Sequence, residues 1–113
     1  MKRNTRELNK LERYLRENGF EYVRVDEDNT YPADVWQLIK DRLGDDAHEM
    51  DRHQIIVFEK DGNGVVSWDV ICHYGSYGCN EGLLEGSGVI FRADVEGWLT
   101  AADVIQRIEE GKQ

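Results

Sequence analysis

Gln54-Ile55-Ile56-Val57-Phe58 and Val65-Val66-Ser67-Trp68-Asp69-Val70-Ile71-Cys72 are the stretches that decide the fold. Both are crowded with β-branched and aromatic residues, which suit a pleated, half-buried surface. Between them lies Asp61-Gly62-Asn63-Gly64, whose glycines and Asn supply the positive φ that a tight hairpin turn needs. The pattern predicts antiparallel pairing of residues 55–60 with 65–72, with Val66, Trp68, Val70 and Cys72 on the core side.

Outward from the hairpin, a Gly-rich loop, Gly75-Ser76-Tyr77-Gly78-Cys79-Asn80-Glu81-Gly82, leads to a third strand within residues 83–91, weakened or bulged by Gly86 and Gly88. Thr100 caps a last helix, with Asp103 completing a variant capping box and Ala101, Val104, Ile105 and Ile108 as its apolar stripe. Toward the N-terminus, Leu8, Leu11 and Leu15 mark one stripe of a helix over residues 5–18. Asn18-Gly19-Phe20 ends it in a Schellman stop. Residues 20–25 alternate as a short strand. Pro32 opens a second helix carrying Val35, Leu38, Ile39 and Leu43, closed by Gly44. The expectation is therefore one α+β domain over residues 1–113. Its order is α-β-α-β-β-β-α, with an antiparallel sheet of three to four strands and the helices on one face.

Composition narrows the function classes. A hydrophobic fraction of 40% and three Trp argue against disorder. No apolar run approaches the ~20 residues of a membrane span, and Met1-Lys2-Arg3-Asn4-Thr5 leads into a charged helix rather than a signal segment. Two cysteines are too few for a disulfide scaffold, so a reducing cytoplasm is the expected location. The net charge of −9 disfavours direct binding to nucleic acid or anionic membrane, which depends on basic groups. The charge is uneven: residues 1–24 carry seven basic and four acidic side chains, residues 25–60 four and ten.

Four constellations bear on chemistry. Cys72, His73, Cys79 and His53 contain zinc-ligand types, but two cysteines seven residues apart do not form the tight pair of a zinc site, and Cys72 reads better as core. No metal or cofactor is expected. A Cys–His catalytic pair needs side chains that meet, and strand neighbours point to opposite faces. The Gly-rich loop matches no phosphate-binding motif, yet it offers Tyr74 and Tyr77 as aromatic anchors for a partner. The acidic loop supplies Asp45, Asp46, Glu49 and Asp51, without the ligand order of a calcium loop. Such carboxylates can occupy a basic groove in place of phosphate, because Arg grips both groups bidentately. The basic stripe of the first helix, interrupted by Glu7, Glu12 and Glu17, reads as a solvated face, or as a surface that pairs with the acidic patch of a second copy in a homo-oligomer.

Trp68-Asp69-Val70-Ile71-Cys72-His73-Tyr74-Gly75-Ser76-Tyr77-Gly78, Glu81-Gly82-Leu83-Leu84-Glu85 and Val95-Glu96-Gly97-Trp98-Leu99-Thr100-Ala101-Ala102-Asp103-Val104-Ile105 resemble small uncharacterised proteins of phages and mobile elements of Gram-positive bacteria. The resemblance covers about the C-terminal half and brings no assigned activity, so no catalytic residue is carried over. It implies a context in which small acidic proteins block host defence, anti-CRISPR proteins that mimic DNA being one class. The resulting expectation is a non-enzymatic inhibitor of a basic host protein such as an RNA-guided nuclease, contacting it through Asp45, Asp46, Glu49, Asp51, Tyr74 and Tyr77. The alternative is a module that sequesters a signalling nucleotide through the Tyr/Gly loop.

Overall fold

The computed structural model describes residues 2–60 and 63–111. In chain order the elements are α1 (Arg6–Glu17), β1 (Tyr22–Glu27), α2 (Ala33–Leu43), a 3-10 turn (Gly44–Asp46), β2 (Arg52–Phe58), β3 (Val66–Ile71), a second 3-10 turn (Cys79–Glu81), β4 (Leu84–Gly88), β5 (Glu96–Leu99) and α3 (Ala101–Glu110). The five strands form one antiparallel sheet in sequence order, β1-β2-β3-β4-β5. The chain is α+β with three helices, as the pattern predicts, but the sheet has five strands rather than three to four. The added strand, β5, has only four residues, two of them Gly97 and a left-handed Trp98 with φ 60°, so it shows no alternation.

The hairpin pairs as expected, with Trp68 opposite Val57 and 3% exposed. Val66, expected on the core face, is instead exposed, beyond the register shift between Val57 and Phe58 that breaks the alternation at this end of the hairpin. Of its turn, Asp61 and Gly62 lie outside the described residues; Asn63 and Gly64 hold positive φ of 37° and 77°. Period-two alternation sends Ile55 and Val57 of β2, Trp68 and Val70 of β3, and Leu84 of β4 to one face. There they meet Leu8, Leu11 and Leu15 of α1 and Ala101, Val104 and Ile108 of α3. Phe91 reaches the same core across Gly86, where a Cβ would sit 2.2 Å from its ring, and meets Trp68 edge-on at 5.9 Å. The opposite face carries a polar row: Arg52 Nε donates to Gln54 Oε1 at 3.0 Å, and Gln54 Nε2 to Asp69 Oδ2 at 2.9 Å.

The helix ends follow local chemistry. Phe20 N–H donates to Leu15 O and Gly19 N–H to Arg16 O, the two bonds of a Schellman stop, with Gly19 at φ 72°. Thr100 and Asp103 exchange both capping-box bonds.

The placement of α2 departs from expectation. α1 and α3 already fill the covered face of the sheet, and α2 is left outside the core. None of its residues is buried, and Val35, Leu38 and Leu43 are exposed. Its main neighbour is the 3-10 turn that follows it. The radius of gyration is 15.7 Å, against about 13 Å for a compact domain of ~100 residues. The long axis of 53 Å beside widths of 29 and 25 Å likewise describes an elongated molecule. Among the described residues, no helix is long and apolar enough to cross a membrane.

Candidate functional site

The β1–β2 register sets Asp26 opposite His53, and their side chains meet: His53 Nδ1 lies 2.7 Å from Asp26 Oδ1. Arg24 also donates to Asp26, at 2.9 Å, and reaches back to Glu12 of α1 at 3.0 Å. Burial opposes the charge on Asp26, but the bonds from His53 and Arg24 outweigh it and hold the carboxyl below its ordinary range. An ionised carboxylate can only accept, so His53 Nδ1 donates to Asp26. Nε2 has no hydrogen-bond partner among the described residues; the nearest carboxylate oxygen, Asp51 Oδ2, is 3.6 Å away.

Asp51 belongs to a second knot. The N-terminal arm crosses the loop after β3, and Arg3 forks onto Asp51 at 2.9 and 3.1 Å. The backbone N–H of Tyr74 donates to the same carboxylate at 2.9 Å. Burial of Asp51 again works against its charge, and the Arg3 and Tyr74 bonds more than compensate, lowering its pKa. This arrangement ties residues far apart in sequence into one wall of a groove of about 840 Å³. Arg3, Asp51, His53 and Cys79 line it on the sheet side, and Trp36, His48 and Glu49 on the side of α2 and the acidic loop. Tyr74 stacks on His48 with ring centroids 5.4 Å apart. Trp36 stacks on Tyr31 at 6.2 Å, with Lys40 Nζ 5.7 Å from its ring centroid.

The sequence-predicted residues separate into three groups. Asp45 and Asp46 stand exposed on the 3-10 turn and Glu49 is exposed beside the groove, all without an ion pair among the described residues. Asp51 sits in the same run, but its side chain is 9% exposed and engaged by Arg3. The two tyrosines part company: Tyr74 joins the groove, whereas Tyr77 backs onto Gly97 of β5, where a Cβ would lie 2.5 Å from its own. Exposed Tyr77 therefore shares a patch with exposed Trp98, a residue the sequence reading did not single out.

The Cys72 thiol is poorly suited to act as a nucleophile. Cys72 is fully buried, and desolvation pushes its thiol up to about 11, so it stays protonated near neutral pH. Its Sγ lies 3.6 Å from Asn4 O. Cys79 Sγ faces Asn80 Oδ1 at 3.7 Å rather than a histidine. Both cysteines are free. Burial lowers the pKa of His73, whose enclosed Nδ1 has no hydrogen-bond partner among the described residues. Among the described residues, no group of three His, Cys, Asp or Glu could hold a metal ion.

The Asp26–His53 pair and the Arg3 fork also escaped the sequence reading. Their partners lie 27 and 48 residues apart, beyond the reach of local spacing. Comparison with protein families, with curated proteins and with solved structures finds no match for the chain.

Proposed function

We propose that this chain is a non-enzymatic binding protein of phage or mobile-element origin, which inhibits a basic nucleic-acid-handling protein such as an RNA-guided nuclease. The observation that carries the reading is the projecting arm of α2 and its 3-10 turn. An apolar stripe of Val35, Leu38 and Leu43 lies uncovered there, beside the exposed carboxylates of Asp45 and Asp46. An amphipathic helix normally buries such a stripe against its own core, so a surface of this composition fits a protein partner. The carboxylates would meet the Arg and Lys side chains that such a nuclease directs at nucleic acid. Charge attraction of this kind speeds association and is screened by salt.

The experiment is capture from bacterial lysate with the wild-type protein and with Asp45→Lys/Asp46→Lys, followed by a cleavage assay on the captured nuclease. The reading expects salt-sensitive capture and inhibition that the double reversal abolishes. Equal capture and inhibition by both proteins would sink it. A second reading, sequestration of a signalling nucleotide, draws support from the aromatic groove with Lys2 and Arg3 in its lining. It is weakened by Asp28, Glu49 and Asp51 in the same lining, which repel phosphate.

A further inference from the structure

We propose that α2 is a dimerisation helix, which pairs antiparallel with the α2 of a second copy of this chain. The inference goes beyond the proposed function and stands without it. It starts from the spacing of Val35, Leu38, Ile39, Arg42 and Leu43, the i, i+3, i+4, i+7, i+8 row of a helix that packs on a neighbour. Within the molecule this row is left largely uncovered: Val35, Leu38 and Leu43 are 38%, 58% and 53% exposed. Trp36, on the flank of the row, lines the groove and stacks on Tyr31 instead. Uncovered apolar rows of this kind mark association surfaces.

The charges along the row select the occupant. Arg42 is the charged member of the row, and Asp34 lies at the other end, in the first turn. Both are exposed, and neither has an ion pair among the described residues. Opposite signs at the two ends make the surface self-complementary about a twofold axis. In an antiparallel pair each Arg42 meets Asp34 of the second copy, and the axis passes near Leu38. A parallel pair would set Arg42 against Arg42 and Asp34 against Asp34, which repel. A single charged residue in an apolar row fixes register and orientation in paired helices in this way. The second copy takes the row, and Asp45 and Asp46, on the turn beyond Leu43, stay open to a basic protein. Eleven residues give a contact about 16 Å long, small beside the roughly 1,200 Å² of a stable interface. The dimer is therefore weak, with a Kd on the order of 100 μM. The net charge of −9 opposes self-association, and salt at about 0.15 M screens that repulsion beyond about 8 Å.

The test is sedimentation equilibrium of the purified full chain at about 0.15 M salt, over protein concentrations from about 10 μM to 1 mM. Wild type should pass from monomer to dimer across this range. Leu38→Asp, at an exposed position, should weaken association at least about ten-fold, because it buries two unpaired carboxylates at the axis. Asp34→Arg and Arg42→Asp should each weaken it about five-fold or more, since two attractions become two repulsions. An equimolar mixture of these two single variants should recover most of the wild-type association, because the unlike pair restores both ion pairs. Circular dichroism of each variant reports whether the helices are kept. A wild type that stays monomeric at about 1 mM, association unchanged by Leu38→Asp, or single reversals that behave as their mixture does would each overturn the dimer. No other protein is present in this measurement. Failure of the dimer therefore leaves the capture experiment with Asp45→Lys/Asp46→Lys untouched, and failure of that capture leaves the dimer standing.

Discussion

Asp51→Asn tests how the groove wall is held. The substitution keeps the shape of the side chain and removes its charge. Arg3 then loses two charge-assisted bonds, and the Tyr74 N–H bond weakens. The pair is mostly enclosed, with side chains 16% and 9% exposed, so the discount for solvent is modest. Bonds to charged groups contribute about 1.5–3 kcal/mol each and a neutral replacement about 1. The full penalty of a buried broken pair, about 3–5 kcal/mol, is a ceiling, because the groove admits water. A loss of about 2 kcal/mol follows, which for a domain of this size lowers Tm by about 8–12 °C. The pH dependence is distinctive. The folded-state pKa of Asp51 is lowered, so its contribution is complete above the ordinary carboxylate range and is lost as pH falls through the depressed value. Urea melts of wild type and variant should therefore differ at pH 7, begin to narrow near about pH 4, where unperturbed carboxylates protonate, and converge only below the depressed folded-state value. A gap that is absent at pH 7, or unchanged at pH 3, would refute the assignment of Asp51 as a latch.

Further outcomes follow from the core and the thiols. Trp68→Ala should cost about 3–5 kcal/mol, the usual loss for a fully buried large aromatic; an unchanged denaturation midpoint would contradict its place against Phe91. Gly86→Ala should force Phe91 out of its seat and destabilise by about 1–3 kcal/mol, a loss that Phe91→Leu in the same chain should partly restore in chemical melts. Cys72 should resist a disulfide-exchange reagent in the native protein and react at the rate of unfolding, because the buried thiol stays protonated; immediate reaction would place it at the surface.

The hairpin, the α1 and α3 stripes, the Schellman stop of α1 and the capping box that starts α3 were legible in the sequence because each depends on neighbours within a few residues. Strand β5 was not, since Gly97 and the left-handed Trp98 erase its alternation. The stripe of α2 looked like that of a core helix, and only the prior occupation of the sheet face by α1 and α3 leaves it outside. Asp45, Asp46, Glu49 and Asp51 read alike as an acidic run. What separates Asp51 is an arginine 48 residues away. The groove was invisible for the same reason, as its walls come from the N-terminal arm, α2 and the loop after β3.

The central claim is that the projecting arm binds a basic protein through exposed carboxylates. The most direct measurement is the affinity of the purified partner for wild type and for Asp45→Lys/Asp46→Lys across a range of ionic strength. Wild-type Kd should rise steadily with salt, while the double reversal should bind weakly throughout with little salt dependence. Equal affinity and equal salt dependence for the two proteins would contradict the account.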